Sequence, residues 1–198
     1  MSHVKALRRE LLVVGLGNHD YPFTRHSIGQ LVLHSLPGYL QRQTSFERNG
    51  KLPGRLCSFP NLNLHLLQPL VPMNLSGRPI FRALSLLSLH PSSLVLLHDD
   101  MYLPAGKVAA KFGGSARGHN GVKDTVTSLK GFDFFWRIRV GIGKPPEGTT
   151  AADWVLGNID TDARQQCSET GRSTAAVWGL LTKLDGKLHP SDNSSLIL

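Results

Sequence analysis

The sequence predicts a single three-layer α/β domain with a mixed, mostly parallel central sheet flanked by helices. Three observations carry that expectation. Short apolar runs without alternation, at residues 11–16 (LLVVGL) and 93–97 (SLVLL), suit strands buried on both faces. Stretches with apolar residues at helical spacing fall between such runs, the alternation that builds a sheet covered by helices. At 198 residues and 40% hydrophobic content the chain is long enough for one substantial core. It shows no internal repeat and no low-complexity linker. The expected organisation is a basic extension over residues 1–10, one domain over residues 11–188, and a disordered tail over residues 189–198, rich in Ser, Pro and Asn.

The first strand ends in Gly15, Gly17 and Asn18, residues that tolerate the backbone angles of a tight polar turn. Thr24 is placed to cap a helix whose apolar face is Ile28, Leu31, Val32 and Leu36, with His26 in its first turn. Pro37 and Gly38 mark its stop. Residues 39–54 read as polar loop, followed by strands at residues 55–59 and 62–67 joined by a turn at Pro60 and Asn61. Pro69 and Pro72 keep the next segment extended, and Ser76 caps a helix marked by Ile80, Leu84 and Leu87. The strand at residues 93–97 ends abruptly in His98, Asp99 and Asp100, where a buried charge would need a partner. A more exposed strand at residues 107–112 leads into the glycine-rich run at residues 113–121 and a helix from Val122 to about Lys130. In the strand at residues 136–142, Arg137 and Arg139 alternate with Trp136, Ile138 and Val140. A short helix near residues 152–156 and one longer helix from about Asp162 to Leu184 complete the domain.

Lys and Arg number 22 against 14 Asp and Glu, a formal net charge of +8. With a pI near 9.9 this points to a polyanionic partner, nucleic acid ahead of a merely solvated basic face. Between residues 105 and 144 eight cations meet only Asp124 and Asp133, so most of the excess lies there. No apolar run approaches bilayer length, and MSHVKALRRE is too short and too weakly apolar for a secretory signal. It reads as a native start or as the remnant of an organellar presequence. Cys57 and Cys167 are far apart and lack a C-x-x-C pattern, which supports neither a disulfide framework nor a zinc site and fits a reducing compartment.

Spacing removes several chemistries. A dinucleotide fingerprint needs a third glycine where Asp20 stands, and GGSARG lacks the Lys-Ser/Thr ending of a P-loop. Nine histidines include no His-x-x-x-His or His-x-His pair, so no metal is expected. There is no G-x-S-x-G elbow, and neither cysteine has an activating neighbourhood. One candidate base remains, His26, whose place at a helix start favours the neutral imidazole through the positive end of the helix dipole. Asp99 is the candidate carboxylate. Asn18, Asn74 and Asn120 sit in loops at element ends, where amides can hold a carbonyl or a hydroxyl. Each also has a plain structural explanation: a packed histidine, or asparagines that simply form turns. The glycine run before the third helix can bind a phosphate through backbone N–H groups or be no more than a tight turn.

The motifs GLGN, TRHSIG, MNLSG, HDD with LPAG, GGSARGHNGVKD and RIRVGIGKP, with VLGN from Val155, stand in one order along most of the domain. This assembly resembles the bacterial-type peptidyl-tRNA hydrolase family, and the SARGHNG form is similar to its eukaryotic members. The resemblance implies a hydrolase without cofactor or metal. It would cleave the ester joining a peptide to the terminal ribose of tRNA, recycling tRNA from stalled or dropped-off peptidyl-tRNA. By position it implies His26 as the catalytic base, Asp99 as the carboxylate that orients it, and Asn18 as the group that separates blocked from free aminoacyl-tRNA. Tyr21, Pro72, Met73, Asn74 and Asn120 fall on substrate-binding positions. Lys111 and Arg139 match the basic pair that engages tRNA phosphate, with Arg117 beside them.

The resemblance further implies peptidyl-tRNA as partner, no membrane, and a monomer. It leaves cytosol and mitochondrion, and docking on a ribosome or a ribosome-quality-control factor, as alternatives. The chain departs from the family pattern in three places. The loop between Asn18 and Tyr21 holds only His19 and Asp20, two residues fewer than the usual bacterial form; Ser27 stands where Asn is common; Pro72 replaces an aromatic that would offer a stacking surface. The rival expectation is an RNA-binding relative without hydrolysis, similar to organellar intron-splicing factors. A general esterase of small acids would explain the site but not the basic surface.

Overall fold

The computed structural model describes residues 4–185, so the expected tail at residues 189–198 lies outside the described residues. Seven strands form one sheet among them: β1 (Leu11–Gly15), β2 (Glu47–Arg48), β3 (Gly54–Phe59), β4 (Leu64–Pro69), β5 (Leu94–Asp100), β6 (Val108–Phe112) and β7 (Trp136–Gly141). Their order is β2-β3-β4-β1-β5-β7-β6. The central strands β4, β1, β5 and β7 run parallel, while β2, β3 and β6 add antiparallel edges. Every residue of β1, β4 and β5 is buried, because helices cover both faces there and no side chain can be left to water.

Alternate residues of β1 enter opposite layers. Leu11 and Val13 pack with α1 (Ile28–Tyr39) and α6 (Arg172–Asp185) through Val32, Leu36, Val177 and Leu181. Leu12 and Val14 pack with α2 (Gly77–Leu86) and α3 (Asn120–Ser128) through Ile80, Leu84 and Val122. The three layers are those expected from the sequence. Two short helices, α4 (Ala151–Leu156) and α5 (Thr161–Gln166), complete the chain's later part. Among the described residues no helix is long and apolar enough to cross a membrane.

Several expected boundaries move. Thr24 precedes a single 3-10 turn, Arg25–Ser27, and its hydroxyl donates to the Tyr21 carbonyl at 3.0 Å instead of capping a helix. Likewise the Ser76 hydroxyl donates back to the Met73 carbonyl at 2.8 Å. Pro37 lies inside α1, two residues from its end, because burial of Leu36 and Pro37 against the core outweighs the lost backbone bond. The single helix expected over residues 162–184 is two, α5 and α6. Gly171 joins them where an added Cβ would collide with the Gln166 carbonyl. The loop at residues 39–54 contains β2, whose two exposed residues show no alternation to read.

One close approach fixes the first helix against the sheet edge. Gly29 presses the start of α1 onto β1 and β5 so tightly that any Cβ would strike the Leu97 carbonyl. The preceding 3-10 turn is thereby held over the carboxyl end of β5, the edge at which open α/β sheets place their sites.

Candidate active site

His26 lies in that turn, 8% exposed, and Asp99 ends its strand at 4%. The His26 Nδ1 is 2.9 Å from Asp99 Oδ1. The same carboxylate oxygen accepts a bond from His119 Nε2, also at 2.9 Å. His119 caps α3: its Nδ1 accepts the Val122 N–H at 3.3 Å, which fixes its proton on Nε2. An ionised Asp99 only accepts, so His26 donates through Nδ1–H and keeps Nε2 as a free lone pair. His98 donates Nδ1–H to the Asp99 carbonyl at 2.7 Å and buries an unpartnered Nε2. The three imidazoles form a row, with centroids 4.8 Å apart for His26 and His119 and 4.7 Å for His119 and His98.

Burial opposes the charge on Asp99, but attraction and hydrogen bonds from His119 and then His26 outweigh it and hold the carboxyl well below the usual carboxylate range. For His98, burial pushes the imidazole well below its ordinary 6.5, with His119 and Arg137 adding to the effect. His98 is therefore a neutral member of the row.

Sequence spacing offers no metal-binding pair, yet the fold brings ligand atoms of His26, Asp99 and His119 within 4.8 Å of one another. Two N–H groups converge there on one carboxylate oxygen, so a cation would have to displace both protons. The donor set is that of a hydrogen-bonded chain.

A cleft of about 320 Å³ opens beside the row, lined among others by His26, His98, Asp99, His119, Asn120, Lys111, Arg117 and Arg139. Four cations share this side. Lys111 stands opposite Arg137 in the β6–β7 register, and Arg139 bonds Asp100 Oδ2 at 2.8 Å. Asp100 uses its other oxygen for the Tyr102 N–H at 2.7 Å. The Arg117 guanidinium lies 5.9 Å from the Tyr102 ring centroid. Burial, and then the guanidinium groups of Arg137, Arg117 and Arg139, lower the Lys111 ammonium from its ordinary value. Ala151, Ala152 and Val155 of α4 form another wall. That wall is seated by the Arg25 guanidinium, 3.7 Å from the Trp154 ring centroid, and by a bridge between Thr24 and Asn158.

Asn18, Tyr21, Pro72, Met73 and Asn74 do not line this cleft. Asn18 Oδ1 accepts the Met73 N–H at 2.8 Å, and Met73 abuts Gly121, next to Asn120. The turn at Met73–Leu75 thus links Asn18 to the start of α3, while Asn74 and Asn120 remain exposed on its surface. Tyr21 is 62% exposed, and Pro72 is also exposed. Ser27 accounts for the short loop: its hydroxyl accepts the Asn18 N–H at 3.0 Å and donates to the Tyr21 carbonyl at 2.8 Å. Fully buried, it ties both ends of a closed turn.

Sequence reasoning does not single out His119, His98 or Arg137 for the site. His119 carries a usable signal: it is an imidazole at a helix start beside a chosen asparagine, as His26 is. His98 and Arg137 have none, because only strand pairing places them.

Fold and site together define an α/β protein with a carboxylate-held imidazole at its sheet edge and a cationic cleft, suited to base-assisted chemistry on an anionic substrate. A family model described as peptidyl-tRNA hydrolase matches residues 12–192. A mouse (Mus musculus) protein named probable peptidyl-tRNA hydrolase is 38% identical over 170 residues, which is 85% of this chain and 83% of its own. A peptidyl-tRNA hydrolase of Geobacter metallireducens is 38% identical over 177 residues, 88% of this chain and 83% of its own. Among solved structures, a point mutant of the Acinetobacter baumannii peptidyl-tRNA hydrolase matches with a TM-score of 0.73 at 26% identity, covering 92% of this chain and 90% of that one. The chain belongs to the peptidyl-tRNA hydrolase family.

Proposed function

We propose that this protein hydrolyses the ester between a peptide and the terminal ribose of tRNA, with His26 as general base. The observation that carries this reading is the buried 2.9 Å contact from His26 Nδ1 to Asp99, which leaves Nε2 bare. Nε2 draws a proton from water as that water attacks the ester carbonyl. The proton then passes to the departing ribose oxygen, and no covalent intermediate forms. Base assistance of this kind contributes about a hundred to ten-thousandfold. Asp99 fixes the tautomer and stabilises the imidazolium, as a triad aspartate does. The Asn120 amide, on the wall of the cleft, steadies the developing oxyanion and the bound water, while Asn18 and Asn74, outside the cleft, act on the peptide side.

Lys111, Arg117 and Arg139 engage tRNA phosphate without reading sequence, which suits an enzyme that accepts many tRNAs. Tyr21, Pro72 and Met73 lie outside the cationic cleft and serve the peptide side. In this reading the protein works as a monomer on peptidyl-tRNA in cytosol or mitochondrion, whether or not it docks on a ribosome.

Release of peptide from diacetyl-lysyl-tRNA tests the assignment. His26→Ala should retain tRNA binding and lose about three orders of magnitude in cleavage; full cleavage by that variant overturns the mechanism. Intact tRNA binding with no cleavage by the wild-type protein would instead mark the RNA-binding alternative.

A further inference from the structure

Arg137 is 2% exposed, yet among the described residues no carboxylate pairs with it directly. Its guanidinium donates to three successive backbone carbonyls, Gly113, Gly114 at 2.9 Å and Ser115 at 3.1 Å. These carbonyls belong to a loop in which Gly113, Gly114, Arg117 and Gly118 all have φ between 46° and 85°, a conformation that is free for the glycines but costs energy at Arg117, which outside contacts must offset. Asp133 takes the Gly114 N–H on the loop's other side at 3.2 Å. Gly114 lies beside Lys111 with room for little more than a methyl group between them: a Cβ added there would be in van der Waals contact, 3.6 Å, with the Lys111 Cε and Nζ. The loop therefore connects a buried guanidinium to two cations of the cleft, Lys111 and Arg117.

Holding a cation out of water among other cations is costly, and burial with Arg139 nearby does lower Arg137 from its ordinary value. A strand position needed only for packing would be served by an apolar side chain. What the guanidinium alone supplies is a planar fork of donors that can fix several carbonyls at once.

We infer that Arg137 is a positioning residue for the tRNA substrate, holding the loop at residues 113–118 so that Arg117 and Lys111 are set for one phosphate. The inference rests on the proposed action on peptidyl-tRNA and adds to it a residue that does not touch the phosphate.

The test compares full-length wild type, Arg137→Lys and Arg137→Gln in steady-state cleavage of peptidyl-tRNA and in binding of deacylated tRNA across salt concentrations. Lysine keeps the charge but not the fork. It should raise KM and the tRNA Kd about tenfold, leave kcat within about twofold, and flatten the salt slope by about one, nearly as much as glutamine does. A lysine variant equal to wild type means that charge alone matters and overturns the inference, as does a fall in kcat with KM unchanged. Gly118→Ala strains the same loop at its φ of 85°, at a residue that makes no bond to Arg137 and where an added Cβ meets nothing within 4 Å, and should reproduce the KM effect. If the Arg137 variants do not fold, that substitution decides, and unchanged KM and Kd in it overturn the inference. Should the wild-type protein bind tRNA but cleave nothing, the catalytic reading fails while the Kd comparison still decides the role of Arg137.

Discussion

Among the described residues there are two histidine–carboxylate chains, and the one outside the cleft looks more like a hydrolase. Ser58 Oγ lies 2.8 Å from His65 Nδ1, and His65 Nε2 lies 2.7 Å from Glu10 Oε1, a serine, an imidazole and an acid in series. Its distances match those of His26–Asp99–His119. Burial of the acid differs: the Glu10 side chain is 47% exposed and that of Asp99 4%. Water screens an exposed carboxylate, which leaves little field to orient an imidazole. Ser58 and His65 are also direct partners in the β3–β4 register, so their contact follows from strand pairing. Both His65 nitrogens are taken up within the protein, whereas His26 keeps one for water. Short distances thus do not define the site; a buried acid, a free nitrogen and adjacent cations do. The His65 chain fastens the segment before β1 to the sheet.

Substitutions can break that contrast, and their expected effects run from large to small. Asp99→Asn should lower kcat about a thousandfold or more with tRNA binding kept, since the imidazole loses both its fixed tautomer and its counter-charge. The same variant has a stability signature. Asp99 is depressed in the folded state, so its ionised form stabilises the fold above the unfolded value near 3.8, and that contribution is lost as pH falls below it. In urea melts the wild-type advantage over Asp99→Asn should be full at pH 7 and shrink below about pH 4; a constant gap would contradict the ionised pairing. His119→Phe removes the second donor to the same oxygen and should cost about ten to a hundredfold in kcat, a range set by loss of one charge-assisted bond. An effect equal to that of Asp99→Asn would move the base itself to His119. Lys111→Ala and Arg139→Ala should each weaken all tRNAs alike and reduce the salt slope by about one. The smallest effects belong to the other chain: Ser58→Ala and Glu10→Gln should leave cleavage within about twofold and stability within about 1 kcal/mol. A tenfold loss of activity in either would erase the contrast.

Much of this was legible in the residues. The apolar runs of β1 and β5 announced a buried parallel centre, and two adjacent carboxylates at the end of β5 announced partners, which are His26 with His119 for Asp99 and Arg139 for Asp100. The break between α5 and α6 did carry a signal that the single expected helix passed over: no apolar residue stands between Cys167 and Ala175, and Gly171 within that stretch makes the close backbone approach of the turn. His98 and Arg137 acquire their places from strand register, a long-range property that local pattern does not carry. Ser27 could be read only as a departure, and its hydroxyl proves to be what closes the shortened loop.

The most direct test of the central claim is ¹⁵N NMR of the histidine side chains near neutral pH. It should find the His26 proton on Nδ1 with Nε2 bare, and the His119 proton on Nε2. A His26 proton on Nε2 would leave no lone pair for water, and the assignment of this imidazole as base would be wrong.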